Sequence, residues 1–235
     1  MRLRTIAIIV AEPGPGGPDE AAGPGMLASL AGQPVIGHSV AAFEASPLID
    51  EIIVIAAAGV RALLAGRGYR KVSRVLDPGR SRAESVRQAL QSLGPAEVNV
   101  LIHDARRALV GQRIIEDCVT ALRARQAVCT AVPASDTMVA VENELVTLRP
   151  ARDRLRRRQT PQGFRLSVIR RGYELALADQ GAGPAYAGPA DDCGIVLRYL
   201  PEVTVGLARG SELNFAITRP ADIGIAETML RAELP

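Results

Sequence analysis

The run TIAIIVAEPGPGGPDEAAGPG at residues 5–25 carries the first decision about the fold. Residues 5–10, TIAIIV, read as a buried strand. Residues 11–25 contain nine Gly or Pro among fifteen positions, so they form an irregular loop. Beyond the loop, the span Gln33 to Glu44 places Val35, Ile36, Val40 and Phe43 near one helical face. Strand, Gly-rich loop and amphipathic helix together open a doubly wound α/β sheet.

The rest of the chain repeats that alternation. Apolar runs EIIVIAA (51–57), VSRVL (72–76) and VNVLIH (98–103) supply further parallel strands, and Ser81 to Leu93 supplies a helix with Val86, Ala89, Leu90 and Leu93 on one side. From Ala127 to Leu148 the pattern becomes strand-like, with Glu142-Asn143-Glu144 as the turn of a hairpin. Helical spacing returns at 165–178 and 191–200, followed by a strand VTVGLA (203–208) and a last helix opening at Pro220. The expectation is one α/β domain over 1–235, doubly wound with a mainly parallel sheet.

Composition narrows the partners. A chain of 235 residues with 48% hydrophobic residues is long enough for one large core. No apolar run approaches the roughly 20 residues that span a bilayer, so a cytoplasmic protein with no membrane partner is expected. Cys118, Cys129 and Cys193 match no metal or disulfide spacing and read as reduced core residues. His38 and His103 are the only histidines, so a metal would sit on carboxylates, which suits Mg²⁺. Lys71 is the only lysine among 28 basic residues, and the net charge of +3 is mild, so no nucleic-acid partner is expected. The dense basic run RDRLRRR (152–158) reads as a solvated face.

A Gly-rich loop after the first strand lies at the carboxyl edge of such a sheet, where backbone N–H groups of Gly14 and Gly16 could hold phosphates. An unstructured surface loop is the alternative. Asp104, in LIHDARRA, ends another central strand and would share that edge, able to hold Mg²⁺ against a triphosphate. Its alternative is a helix N-cap.

The runs SRAESVRQAL (81–90), VLIHDARRAL (100–109), VPASDTM (132–138), QTPQGF (159–164) and ITRPADI (217–223) resemble the successive motifs of the 2-C-methyl-D-erythritol 4-phosphate cytidylyltransferases. GQPVIGHSV (32–40) is similar to that family's first helix. The resemblance implies the nucleotidyltransferase fold and transfer of a cytidylyl group from CTP to a sugar-alcohol phosphate, methylerythritol phosphate, in isoprenoid-precursor synthesis. It implies Mg²⁺ on Asp104, closed by Arg107, with nucleotide contacts at Gly79, Arg80, Ser85 and Ala105. Thr137 with Asp136, Arg152 and Thr160 would hold the acceptor phosphate. The family's hairpin at about 135–157 is an arm exchanged with a second subunit, so a homodimer is implied.

The first loop departs from the family. The family's arginine and lysine there correspond, without gaps, to Pro18 and Gly25. Pro13 and Pro15 lack an N–H, and Glu12, Asp19 and Glu20 repel a triphosphate. Further on, Leu213-Asn214-Phe215-Ala216 stands where the family has an aspartate and a lysine, with Glu212 one residue from the aspartate position. Three readings follow: a working cytidylyltransferase whose cations come from Arg80 or Arg106, a non-catalytic homologue with a binding or regulatory role, or a nucleotidyltransferase for another sugar phosphate.

Overall fold

The computed structural model describes residues 2–11, 25–179 and 191–233. In chain order the elements are β1 (Thr5–Ala11), β2 (Ser29–Leu30), β3 (Gln33–Pro34), α1 (Val35–Ala45), β4 (Glu51–Ala56), α2 (Ala58–Ala65), β5 (Val72–Leu76) and α3 (Arg82–Gln91). They continue as β6 (Asn99–Asp104), α4 (Gln112–Ala121), β7 (Ala127–Pro133), β8 (Ala140–Glu142), β9 (Leu145–Leu148), β10 (Arg156–Arg165), α5 (Leu166–Ala178), α6 (Asp192–Tyr199), β11 (Val205–Arg209) and α7 (Pro220–Glu233).

A seven-stranded sheet runs β11-β7-β10-β6-β1-β4-β5. β1 pairs parallel with β4 and β6, β4 with β5, and β7 with β11. β10 runs antiparallel to both of its neighbours, β6 and β7. The chain leaves β1 toward β4 and β5, then crosses back to place β6 on the other side of β1. That reversal is the topological switch point, and its carboxyl edge is where such sheets bind ligands.

β1 shows why the sheet is buried on both faces. Ile6, Ile8 and Val10 join the core under α3, α5 and α6, while Ala7, Ile9 and Ala11 join the core under α1, α2 and α4. The strand period of two sends alternate side chains to opposite faces, so a continuous apolar run can feed both cores.

The expected strands and helices at 5–10, 33–44, 51–57, 72–76, 81–93, 98–103 and the C-terminal third are present to within a few residues. β10 is the main difference. Its three leading residues, Arg156 to Arg158, are exposed as the solvated-face reading expects, but they are paired to β7 through Pro133, Val132 and Ala131. Pro161 inside a central strand works against a strand reading, because it has no N–H for the ladder. The sheet accommodates it with a register shift between Gln159 and Gly163.

The hairpin β8–β9 turns at Asn143 and Glu144, whose φ values of 49° and 64° give the twist that tight hairpins favour. Met138, Val139, Val141, Leu145, Val146 and Leu148 lie exposed along it. No described helix is long and apolar enough to cross a membrane.

Candidate functional site

Register brings the proposed site together. Val10, near the end of β1, pairs with Asp104, the last residue of β6. Ala105 N–H donates to Val10 O at 3.0 Å, and its carbonyl accepts from Ser39 Oγ at 2.8 Å. Ala105 is thus fully buried and fixes the ends of β1, β6 and α1 to one another; its N–H is engaged internally rather than offered to a nucleotide.

Asp104 does not cap a helix, since the next helix, α4, is capped by Gly111. Its backbone N–H donates to Thr160 Oγ1 at 3.0 Å, across from β10. Among the described residues its carboxylate is held by Arg106: the N–H and Nε donate to Oδ1 at 3.0 and 3.3 Å, and Nη2 donates to Oδ2 at 3.1 Å. Burial raises the Asp104 pKa, but the Arg106 charge and hydrogen bonds outweigh it and hold the carboxyl below its ordinary value. Thr160 also bonds His103 Nδ1 at 3.1 Å, and its carbonyl accepts from Asn214 Nδ2 at 2.8 Å. The Thr160 hydroxyl therefore positions Asp104.

Arg107 turns the other way. Nη1 donates to Asn214 O at 2.7 Å and Nη2 to Arg158 O at 3.5 Å, while Nε is buried with no partner among the described residues. Burial lowers its pKa, and the nearby Arg158, Arg106 and Arg157 charges add to that against the pull of Asp104.

Gly79 and Ser85 meet in the turn before α3, where Gly79 N–H donates to Ser85 Oγ at 2.8 Å. An added Cβ at Gly79 would come within 2.8 Å of Glu84 Cγ and 3.1 Å of Ser85 N, so only glycine fits. Arg80 donates from N and Nε to Glu84 Oε2 at 2.9 and 3.1 Å, and its side chain is 93% exposed. Gly25 is exposed, and a Cβ added there has nothing within 4 Å among the described residues. Lys71 lies just before β5, at the amino edge of the parallel sheet, and donates from Nζ to Ser46 O at 2.6 Å. It is therefore at the opposite end of the sheet from Asp104.

Thr137 and Arg152 lie exposed near the hairpin; Arg152 Nη1 donates to Ser135 O at 3.4 Å, and no hydrogen bond or ion pair among the described residues joins either to Asp104. Glu212 pairs with Arg157 on the surface. Gly14, Gly16, Pro18 and the other residues of the first loop from Glu12 to Pro24 lie outside the described residues.

Two further ion pairs escape the sequence reading. Asp191, the N-cap of α6, receives Arg158 Nε at 2.7 Å and Gln162 Nε2 at 2.8 Å. Asp192, fully buried, receives Arg82 Nη2 and the Tyr173 hydroxyl, both at 2.6 Å. Burial raises the Asp192 pKa, but Arg82 brings it below the ordinary value. Arg82 is also acted on by Asp104. The carboxyl edge on this face thus carries Arg106–Asp104, Arg82–Asp192 and Arg158–Asp191, an array whose positive charges are matched by its own carboxylates.

A divalent metal does not fit this arrangement as it stands. Both oxygens of Asp104 are already donated to by Arg106, and no group of three acidic, His or Cys side chains able to hold a metal occurs among the described residues.

The model of the IspD family, 2-C-methyl-D-erythritol 4-phosphate cytidylyltransferase, matches residues 6–232. The chain belongs to this family. A 2-C-methyl-D-erythritol 4-phosphate cytidylyltransferase of Thermobifida fusca is 44% identical over 241 residues, covering 98% of this chain and 95% of the relative. A bifunctional ribulose 5-phosphate reductase/CDP-ribitol pyrophosphorylase of Haemophilus influenzae is 33% identical across 89% of this chain and 44% of its own length. Among solved structures, the 4-diphosphocytidyl-2C-methyl-D-erythritol synthase of Anaerococcus prevotii superposes with a TM-score of 0.84 at 26% identity, covering 97% of this chain and 99% of that one. The fold of this IspD-family chain is therefore the nucleotidyltransferase-like α/β sheet read from its sequence.

Proposed function

We propose that this chain is an IspD-family protein that retains the family's fold, as one domain over 1–235, and its nucleotide-facing edge, while transferring the cytidylyl group from CTP to methylerythritol phosphate several orders of magnitude more slowly than a working member. What supports this reading is the first loop of the sequence, where a gap-free match to the family's motif puts Pro18 and Gly25 at its arginine and lysine positions. In this reaction the acceptor phosphate attacks the α-phosphorus and pyrophosphate leaves, so catalysis consists of in-line positioning and neutralisation of developing charge. Removing one such stabilising group costs on the order of 10²–10³ in rate.

The arrangement of the remaining cations supports the same reading. Arg106 keeps the Nε and Nη2 edge of its guanidinium on Asp104, Arg80 is paired with Glu84, and Lys71 is at the amino edge of the sheet, so none of them brings an undivided charge to the phosphates. Ala216, at the second lysine position, brings no charge. The exposed apolar hairpin at about 135–157 supports a homodimer, because an isolated two-stranded hairpin with an uncovered apolar surface is marginal on its own. In that dimer Thr137 and Arg152 serve the neighbouring subunit's acceptor site. A cytoplasmic location follows from the same reading.

The Haemophilus influenzae relative supports a second reading, in which the acceptor is another sugar-alcohol phosphate such as ribitol phosphate. Pyrophosphate release measured with CTP, Mg²⁺ and each acceptor separates the two. Negligible turnover with both supports the first reading, and efficient turnover with ribitol phosphate alone supports the second.

A further inference from the structure

We propose that Arg106 is a built-in cation occupying the place a divalent metal would take on Asp104, so that this edge accepts a polyphosphate anion without metal. The proposal rests on the reading above that phosphates enter beside Asp104.

The geometry is that of a bridging group. Arg106 contacts both carboxylate oxygens, through Nε at 3.3 Å and Nη2 at 3.1 Å, and its backbone N–H adds a contact at 3.0 Å. Its carbonyl is fixed in turn by Ile217 N–H at 2.9 Å, so the loop that carries it is anchored on both sides. These contacts leave the Nη1 amino group and one Nη2 hydrogen of the guanidinium without a role on Asp104. A metal ion at such a site joins a carboxylate to a phosphate; a guanidinium can join the same two groups through its two edges, with planar donors matched to both.

The neighbours reinforce the anion preference and oppose a metal. Arg107 follows directly, with its head on backbone carbonyls and a buried Nε lacking a partner among the described residues. Arg157 and Arg158 act electrostatically on Arg107 from the start of β10. A divalent cation entering here would have to displace Arg106 and stand beside Arg107, which has no carboxylate partner among the described residues, whereas a pyrophosphate or triphosphate tail meets that one unmatched positive charge, Arg157 and Arg158 being paired with Glu212 and Asp191. The side chain of Arg106 is 18% exposed, which leaves an approach open.

Calorimetric titration of the full chain with inorganic pyrophosphate, once in EDTA and once in Mg²⁺, tests the proposal. The wild type binds in EDTA and gains nothing from Mg²⁺. Arg106→Ala and Arg106→Gln, checked for an unchanged far-ultraviolet spectrum, lose at least about tenfold in EDTA and regain affinity when Mg²⁺ is added; Arg106→Lys keeps most of the metal-free binding. A wild type that binds only with Mg²⁺, that does not bind at all, or whose metal-free binding survives both neutral substitutions overturns it. Competition with CTP separates this proposal from the reading it rests on. Metal-free pyrophosphate binding that CTP does not displace leaves the Arg106 proposal standing and removes the nucleotide site. Displacement by CTP that occurs only with Mg²⁺ does the reverse.

Discussion

Arg106 holds both carboxylate oxygens of Asp104, with Nη2 on Oδ2 at 3.1 Å and both Nε and the backbone N–H on Oδ1. The carboxylate stays ionised because that contact outweighs its burial. Arg106→Ala removes the opposing effect, so the Asp104 carboxyl pKa should rise from below its ordinary value. Carboxyl-carbon NMR titration of the variant reads this directly, and an Asp104 that titrates as in the wild type contradicts the pairing.

His103 gives the fold a pH dependence. It is fully buried, tilted against Phe43 with ring centroids 4.9 Å apart, and burial lowers its pKa to about 3. The unfolded chain takes up a proton on this residue near pH 6.5, which the folded chain refuses until about pH 3. Its contribution to stability is therefore complete above pH 6.5 and declines as pH falls through that window. Urea unfolding should show a loss of about 1.5 kcal/mol from this group between pH 6.5 and 5. His103→Gln should flatten that slope; an unchanged slope places the proton uptake elsewhere.

Arg82→Ala should be among the most destabilising single changes at the carboxyl edge. It strips the fully buried Asp192 of its directly bonded counter-charge and leaves, among the described residues, the Tyr173 hydroxyl and the more distant Arg158 charge. Breaking one side of such a pair costs about 3–5 kcal/mol, read as a lower urea midpoint. Arg80→Ala, at a solvent-exposed pair, serves as the control and should leave the midpoint nearly unchanged.

Leu145→Glu combined with Val146→Lys places charges on the exposed apolar hairpin. If that hairpin joins two chains, light scattering at micromolar concentration shows a dimer for the wild type and a monomer for the variant. A monomeric wild type contradicts the arm's role.

The sequence is most legible where one physical signal dominates. TIAIIV and NVLIH read as central strands because apolar runs buried on both faces leave little else for them to be. Glu142-Asn143-Glu144 reads as a turn because polar residues interrupt two strand-like runs. β10 is hidden because it begins with three arginines and contains Pro161, two signals that argue against a sheet interior. The site divides in the same way. Asp104 is visible as an acid ending an apolar run, whereas the Arg82–Asp192 pair joins residues 110 positions apart and no local pattern marks it. The engagement of Ala105 N–H by Val10 is equally invisible, since it depends on β1 and β6 being neighbours.

On the proposed function, Pro18 and Gly25, standing where the family's motif has an arginine and a lysine, limit the reaction. Pyrophosphate release from CTP and methylerythritol phosphate, in Mg²⁺, for the wild type and for Pro18→Arg/Gly25→Lys tests it most directly. Among the described residues nothing lies within 4 Å of a Cβ added at Gly25, which leaves room for the longer side chain. Wild-type turnover is expected orders of magnitude below the typical enzyme range of about 1–10³ per second, with a gain of at least about a hundredfold in the double variant. Wild-type turnover within that range, or a double variant that folds and binds CTP yet gains nothing, would contradict it.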